Sequence, residues 1–139
     1  LTLEGNSAPY IQYMHARCRS ILRKAEESVV SSPSLVAPDH GPQTTDHKLL
    51  THPAEVGLVK QLAKLPGAVR EAGERYAPFV IAEWSYETAR ALSAFYRDCP
   101  VLRAETPELQ AARLRLVAAT AQALKNGLAL LGIRAPERM

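Results

Sequence analysis

Cysteine is scarce in this chain. Cys18 and Cys99 are the two present, and they form no CxxC pair. Two isolated thiols argue against a disulfide scaffold or a zinc site and suit a reducing compartment, so we expect the cytoplasm. Long apolar runs are missing too. The longest stretches without Lys, Arg, Asp or Glu are 5–16 and 28–38, both short and interrupted by polar residues. Neither approaches the ~18 apolar residues that span a bilayer, so no membrane partner is expected. There is no Gly-rich loop to cradle a nucleotide phosphate. There is also no strand-type alternation of convincing length and no internal repeat.

Catalytic and metal-binding constellations are equally thin. The histidines are His15, His40, His47 and His52. His40 and His47 sit beside Asp39 and Asp46, but no ligand spacing supports a metal, and they read as solvated loop residues. Glu83 and Glu87 lie four apart on a helix pattern and could mimic a carboxylate pair; nothing else converges on them, so they read as a solvated face. Cys18 falls on an apolar helix face and reads as an inert buried thiol. No cofactor, metal or catalytic residue is therefore expected in this chain.

What is present suits one small domain. The 139 residues, 47% of them hydrophobic, can build a single core spanning residues 1–139. The net charge is +3 and the pI about 9.0, which allows a polyanionic partner without demanding one. The chain begins at Leu1 rather than Met, and trimming from a longer polypeptide is expected.

Helical periodicity runs over residues 8–27, with Asn6 or Ser7 as cap and Pro9 in the first turn. Residues 28–51 are rich in Ser, Thr, Pro and Gly and read as a long loop. A second helix should start at Pro53, with Glu55 near its positive end, and stop at about Lys64 before Pro66 and Gly67. A short helix covers 67–75. Pro78 opens the next, which Pro100 stops. The last is the clearest: Thr106 caps it, Pro107 starts it and Glu108 favours its dipole. Its apolar residues cover a wide arc, through Leu114, Val117, Ala121, Leu124, Leu128 and Leu131, so it belongs in the middle of a bundle. The expected fold is all-α, a bundle of about five helices.

On a helical wheel, Ile11, Met14, Cys18, Ile21, Leu22 and Ala25 share the packing arc of the first helix. Tyr10, Tyr13, Arg17 and Lys24 share a neighbouring arc. Between Tyr10 and Ala25 the charged residues are Arg17, Arg19, Arg23 and Lys24, all basic. Rings and cations in one stripe suit a single-stranded nucleic acid, because cations attract phosphates and rings stack on unstacked bases. The plainer account is that edge-of-core tyrosines pack on neighbouring helices and arginines face water. The pattern alone leaves both open.

Longer blocks narrow the choice. Gly5-Asn-Ser-Ala-Pro-Tyr-Ile-Gln-Tyr-Met-His-Ala-Arg and Ser20-Ile-Leu-Arg-Lys-Ala resemble the opening of the C-terminal anticodon-binding (DALR-type) domain of arginyl-tRNA synthetases. Phe95-Tyr-Arg-Asp-Cys-Pro-Val-Leu, Ala112-Arg-Leu-Arg-Leu-Val and Leu124-Lys-Asn-Gly-Leu-Ala-Leu-Leu-Gly-Ile follow in that family's order, and Ala135-Pro-Glu-Arg-Met is similar to its terminus. The blocks cover about 3–27 and 92–139; the middle matches loosely through His52-Pro-Ala-Glu. The Asp-Ala-Leu-Arg word that names the family is absent. So are the His-Ile-Gly-His and Lys-Met-Ser-Lys-Ser signatures of the synthetase's catalytic fold.

The resemblance implies recognition of arginine tRNA through its anticodon loop. It implies that Tyr10, Tyr13, Tyr96 and Met139 line the base-holding pocket, and helix geometry adds Arg17 and Arg23 near the phosphates. The chemistry, using ATP and Mg, would belong to a catalytic domain of the parent ligase, which is then the second partner of a monomeric module. The rival expectation is a helical protein-interaction or interdomain-packing module that binds no RNA. A small enzyme is a third, without a plausible constellation.

Overall fold

The computed structural model describes residues 8–31 and 46–139. Among these residues there are helices and no strand: α1 (Ala8–Ser31), α2 (Asp46–Leu49), α3 (Pro53–Ala63), α4 (Leu65–Glu74), α5 (Phe79–Asp98) and α6 (Pro107–Leu130). α2 is a single turn, and α3 and α4 adjoin at Lys64. The all-α bundle expected from periodicity is what forms. The expected cap at Asn6 or Ser7, and residues 32–45 of the loop expected at 28–51, lie outside the described residues.

Local chemistry explains the helix ends. α1 continues to Ser31, a turn beyond the expected end. Ser28 Oγ donates to the Lys24 carbonyl (2.9 Å) and Ser31 Oγ to that of Glu27 (3.0 Å), so the serines bond back onto the helix instead of leaving it. α3 begins with a reciprocal cap: His52 Nδ1 accepts from the Ala54 N–H (3.0 Å), while Glu55 Oε1 accepts from the His52 N–H (2.9 Å). The break expected around Pro66 falls at Lys64, between α3 and α4, and α4 starts two residues sooner than expected. Pro66 falls in the first turn of α4, where a missing N–H has no helical partner to lose. The Thr106 cap on α6 forms as expected, its Oγ1 accepting from the Leu109 N–H at 3.1 Å. Tyr76 carries the turn between α4 and α5 at φ +51°, a left-handed backbone that costs a residue with a Cβ about 1 kcal/mol.

α5 is the central element and packs against α1, α3, α4 and α6. Its Leu92 and Phe95 meet Met14 and Cys18 of α1, Leu58 of α3, and Val117, Leu124 and Leu128 of α6 in one continuous core. α5 and α6 approach closely at Gly127, where a Cβ would sit 2.8 Å from Ser85 Oγ and 3.1 Å from Trp84. Trp84 Nε1 donates to the Gln61 carbonyl (2.9 Å) and ties α5 to the end of α3.

One charged pair is buried in this core. Arg113 Nε donates to Glu55 Oε2 at 2.8 Å, and both side chains are almost fully covered. Arg113 also donates through NH1 to the Pro100 carbonyl at 2.7 Å. Glu55, which the sequence suggests only as a dipole partner, therefore joins α3 to α6 and to the α5–α6 loop. Removing one member strands a buried charge, whereas removing both does not. Glu55→Ala should lower the unfolding free energy by ~3–5 kcal/mol. The double variant Glu55→Leu/Arg113→Met should lose clearly less in a urea titration; equal losses would show that the stranded charge is not the cause.

Candidate nucleic-acid interface

Tyr13, Arg17, Ser20 and Arg23 are spaced three or four apart and share one face of α1. What turns that face into a site is the chain's last segment. α6 ends in a motif that needs glycine: Gly132 adopts φ +73°, its N–H bonds the Ala129 carbonyl (3.0 Å) and the Ile133 N–H bonds that of Leu128 (2.9 Å). Ile133 then packs on the core, and the tail runs back along α1.

Four side chains of α1 hold it there. Gln12 Nε2 donates to the Arg134 carbonyl (2.7 Å), and the buried His15 bonds the Pro136 carbonyl through Nδ1 (2.9 Å). A carbonyl can only accept, so His15 Nδ1 carries the hydrogen. Arg19 Nε donates to Glu137 Oε2 (2.8 Å), and Arg23 NH1 donates to the Glu137 carbonyl (3.0 Å). The hydrogen bond from Arg19 holds the Glu137 carboxyl below its ordinary value. Between helix and tail lies a hollow of about 380 Å³ lined by Tyr13, Ala16, Arg17, Ser20, Arg23, Arg138 and Met139. Tyr13 is 48% and Met139 68% exposed, so a ring face and a thioether are both open to solvent.

A second, shallower hollow of about 250 Å³ adjoins the first across Arg17, which lines both. Its walls are Arg17, Ile21, Tyr96 and the segment 99–103. The Arg17 guanidinium lies 4.8 Å from the Tyr96 ring centroid, in cation–π contact. The Tyr96 hydroxyl donates to Cys18 Sγ (3.2 Å), which fixes the ring's orientation. Burial pushes the Cys18 thiol up to about 11 and raises the Tyr96 phenol well above its usual value, so both stay neutral. Cys18 is the inert thiol expected of its place on α1.

The expected site residues thus divide. Tyr13, Arg17, Arg23 and Met139 come together around one hollow, and Tyr96 reaches it through Arg17. Tyr10 lines neither hollow; it is half buried against the core, with its ring 5.8 Å from that of Tyr86 on α5. Arg23 faces the tail carbonyl as well as the hollow. Ser20 and Arg138 were not anticipated. Ser20 follows from helical spacing beyond Arg17, whereas Arg138 lies in an irregular tail that carries no periodic signal. Among the described residues no His, Cys, Asp and Glu group could hold a metal ion, and no helix is long and apolar enough to cross a membrane.

The family model of the DALR anticodon binding domain matches residues 11–139. This chain belongs to that family. The whole chain aligns at 63% identity with the arginine–tRNA ligase of Chloroflexus aurantiacus and at 46% with that of Thermococcus kodakarensis. It spans only 22% and 21% of the length of these two relatives. Among solved structures, the Thermus thermophilus arginyl-tRNA synthetase superposes with a TM-score of 0.80 at 35% identity, covering 99% of this chain and 22% of that one. The Plasmodium falciparum enzyme gives 0.73 at 26% identity, covering 100% of this chain and 22% of that one.

The strap that shapes the hollow in this DALR domain should respond to acid. A carboxyl whose folded-state pKa is depressed adds stability that is complete above its unfolded value and is lost as the pH falls through the folded value. The Glu137 contact should therefore be intact at neutral pH and fail only below the ordinary carboxylate range. The Met139 methyl resonance should show an acid step that Glu137→Gln removes. A step that persists in the variant would place its origin elsewhere.

Proposed function

We propose that this chain recognises the anticodon loop of arginine tRNA as the single anticodon-binding domain of an arginine–tRNA ligase. The observation that carries the reading is the hollow formed where α1 meets the tail after α6, with an open tyrosine ring, a thioether and three arginines around it. Arginines attract the phosphates of a single-stranded loop, an open ring stacks on a splayed base, and a flexible thioether fills the remaining gap. No carboxylate side chain lines either hollow. The relatives' shared name supports arginine tRNA as the species bound.

In this reading the chain performs no chemistry. It holds the tRNA while a catalytic domain of the longer ligase joins arginine to it with ATP and Mg, in the cytoplasm. Tyr13, Arg17, Arg23 and Met139 seat the loop, Tyr96 forms the adjoining wall, and Tyr10 supports α1 from its core side. Contact with the catalytic domain is favoured by a separate feature: Tyr76, 93% exposed, and the exposed Phe79 stand at the turn between α4 and α5. The second reading, a packing module without RNA, would make that turn the whole function.

A gel-shift titration with arginine tRNA separates the two. Tyr13→Ala should weaken binding by ~1–3 kcal/mol with helical content unchanged. Tyr10→Ala should affect thermal stability more than affinity. Affinity should fall as salt rises, since phosphate contacts release counterions. Binding that is indifferent to Tyr13→Ala and Met139→Ala together, or to salt, would discard the RNA reading.

A further inference from the structure

We infer that Arg103 is a further phosphate-binding residue of this site, positioned by the buried Glu55–Arg113 pair. The inference rests on reading the chain as an anticodon-loop binder. It begins with the loop between α5 and α6. Pro100, Val101, Leu102 and Arg103 line the second hollow together with Arg17 and Tyr96. A strand leaving the Tyr13–Met139 hollow over Arg17 therefore enters the hollow that Arg103 lines.

This loop is fixed at several points. The Cys99 N–H bonds the Phe95 carbonyl (2.8 Å), the Pro100 carbonyl accepts from Arg113 NH1 (2.7 Å), and the Leu102 carbonyl accepts from Gln110 Nε2 (3.2 Å). Cys99 and Val101 are buried beneath it. Arg113 can hold Pro100 only because Glu55 neutralises and orients it at 2.8 Å. The buried pair thus acts on the surface through the loop backbone.

The fixed loop presents an available cation. Arg103 is exposed and has no hydrogen-bond or ion-pair partner among the described residues. Several other arginines are engaged within the chain: Arg17 on Tyr96, Arg19 and Arg23 on Glu137, and Arg97 on Asp98. An arginine with an unused planar fork beside an aromatic-walled hollow suits a phosphate, which it can hold through two N–H donors.

The experiment is a salt-dependent titration of the 139-residue chain with arginine tRNA. Arg103→Ala should weaken binding several-fold and lower the slope of log affinity against log salt by about 0.7–0.9, the loss of one phosphate contact. Arg103→Lys should keep the slope. Arg113→Lys keeps a charge for Glu55 but gives up the fork that also reaches Pro100. It should weaken binding, and adding Arg103→Ala to it should bring little further loss. If Arg113→Lys does not fold, Gln110→Ala, which frees Leu102 from an exposed position, serves the same test. Unchanged affinity and slope in Arg103→Ala, with Tyr13→Ala impaired, would overturn the inference and leave the proposed function standing. Fully additive losses would overturn the positioning role. A wild-type chain that ignores arginine tRNA would overturn both.

Discussion

The site depends on the strapping of the chain's last residues onto its first described helix. α1 alone offers a stripe of Tyr, Arg and Ser on a convex surface, and a convex surface cannot enclose a nucleotide. The tail supplies the opposing wall. It is irregular, so its carbonyls need partners from outside, and Gln12, His15 and Arg23 provide them. Arg19 adds an exposed ion pair, a weak contact by itself that gains value beside three others. His15 is the anchor that water cannot easily replace, because it is buried and its ring meets a carbonyl directly. Gly132 is the precondition: only a residue comfortable at positive φ can turn the chain back so tightly after α6.

The charges are sorted by burial. Arg113 lies inside, where its charge is neutralised by Glu55 and its NH1 group holds a loop. Arg19 and Arg23 lie at the strap, partly covered, and hold the tail. Arg17 lies on an aromatic face between the two hollows, a contact of ~0.5–1 kcal/mol that keeps the guanidinium near the surface. Each step outward leaves more of the guanidinium free for a ligand. A mildly basic net charge of +3 conceals this gradient, which is why composition alone decided nothing about a polyanionic partner.

Much of the fold was legible because its signals are local. The Thr106-Pro107-Glu108 start of α6, the Pro53 start of α3 and the packing arc of α1 each depend on residues within a turn or two of one another. The misreadings have specific causes. The serines at 28 and 31 read as loop-formers, yet their hydroxyls donate to the helix carbonyls one turn back. The helix after the break at Lys64 starts at Leu65 rather than 67, because Pro66 is tolerated in a first turn. Tyr10 and Tyr13 share an arc on the wheel, yet Tyr10 is partly buried on the core beside Tyr86 of α5 while Tyr13 stays exposed. Glu55 and Arg113 are 58 positions apart, and no pattern along the chain announces their contact.

The same distinction applies to the candidate site. Tyr13 and Arg17 could be picked out by spacing, whereas Arg138 and the wall at 99–103 exist as neighbours only after the bundle closes. The hollow therefore has no stability of its own. Its two halves are joined through α1 against α6 and α1 against α5, the same packing that buries Met14, Cys18, Phe95 and Leu128. A substitution that loosens that core lowers the stability of helices and hollow together, because short helices depend on tertiary packing, whereas one in the lining weakens binding and leaves the core intact. Severe core damage and site damage both end in lost binding. Telling them apart needs a measurement, such as the salt slope, that reads phosphate contacts directly.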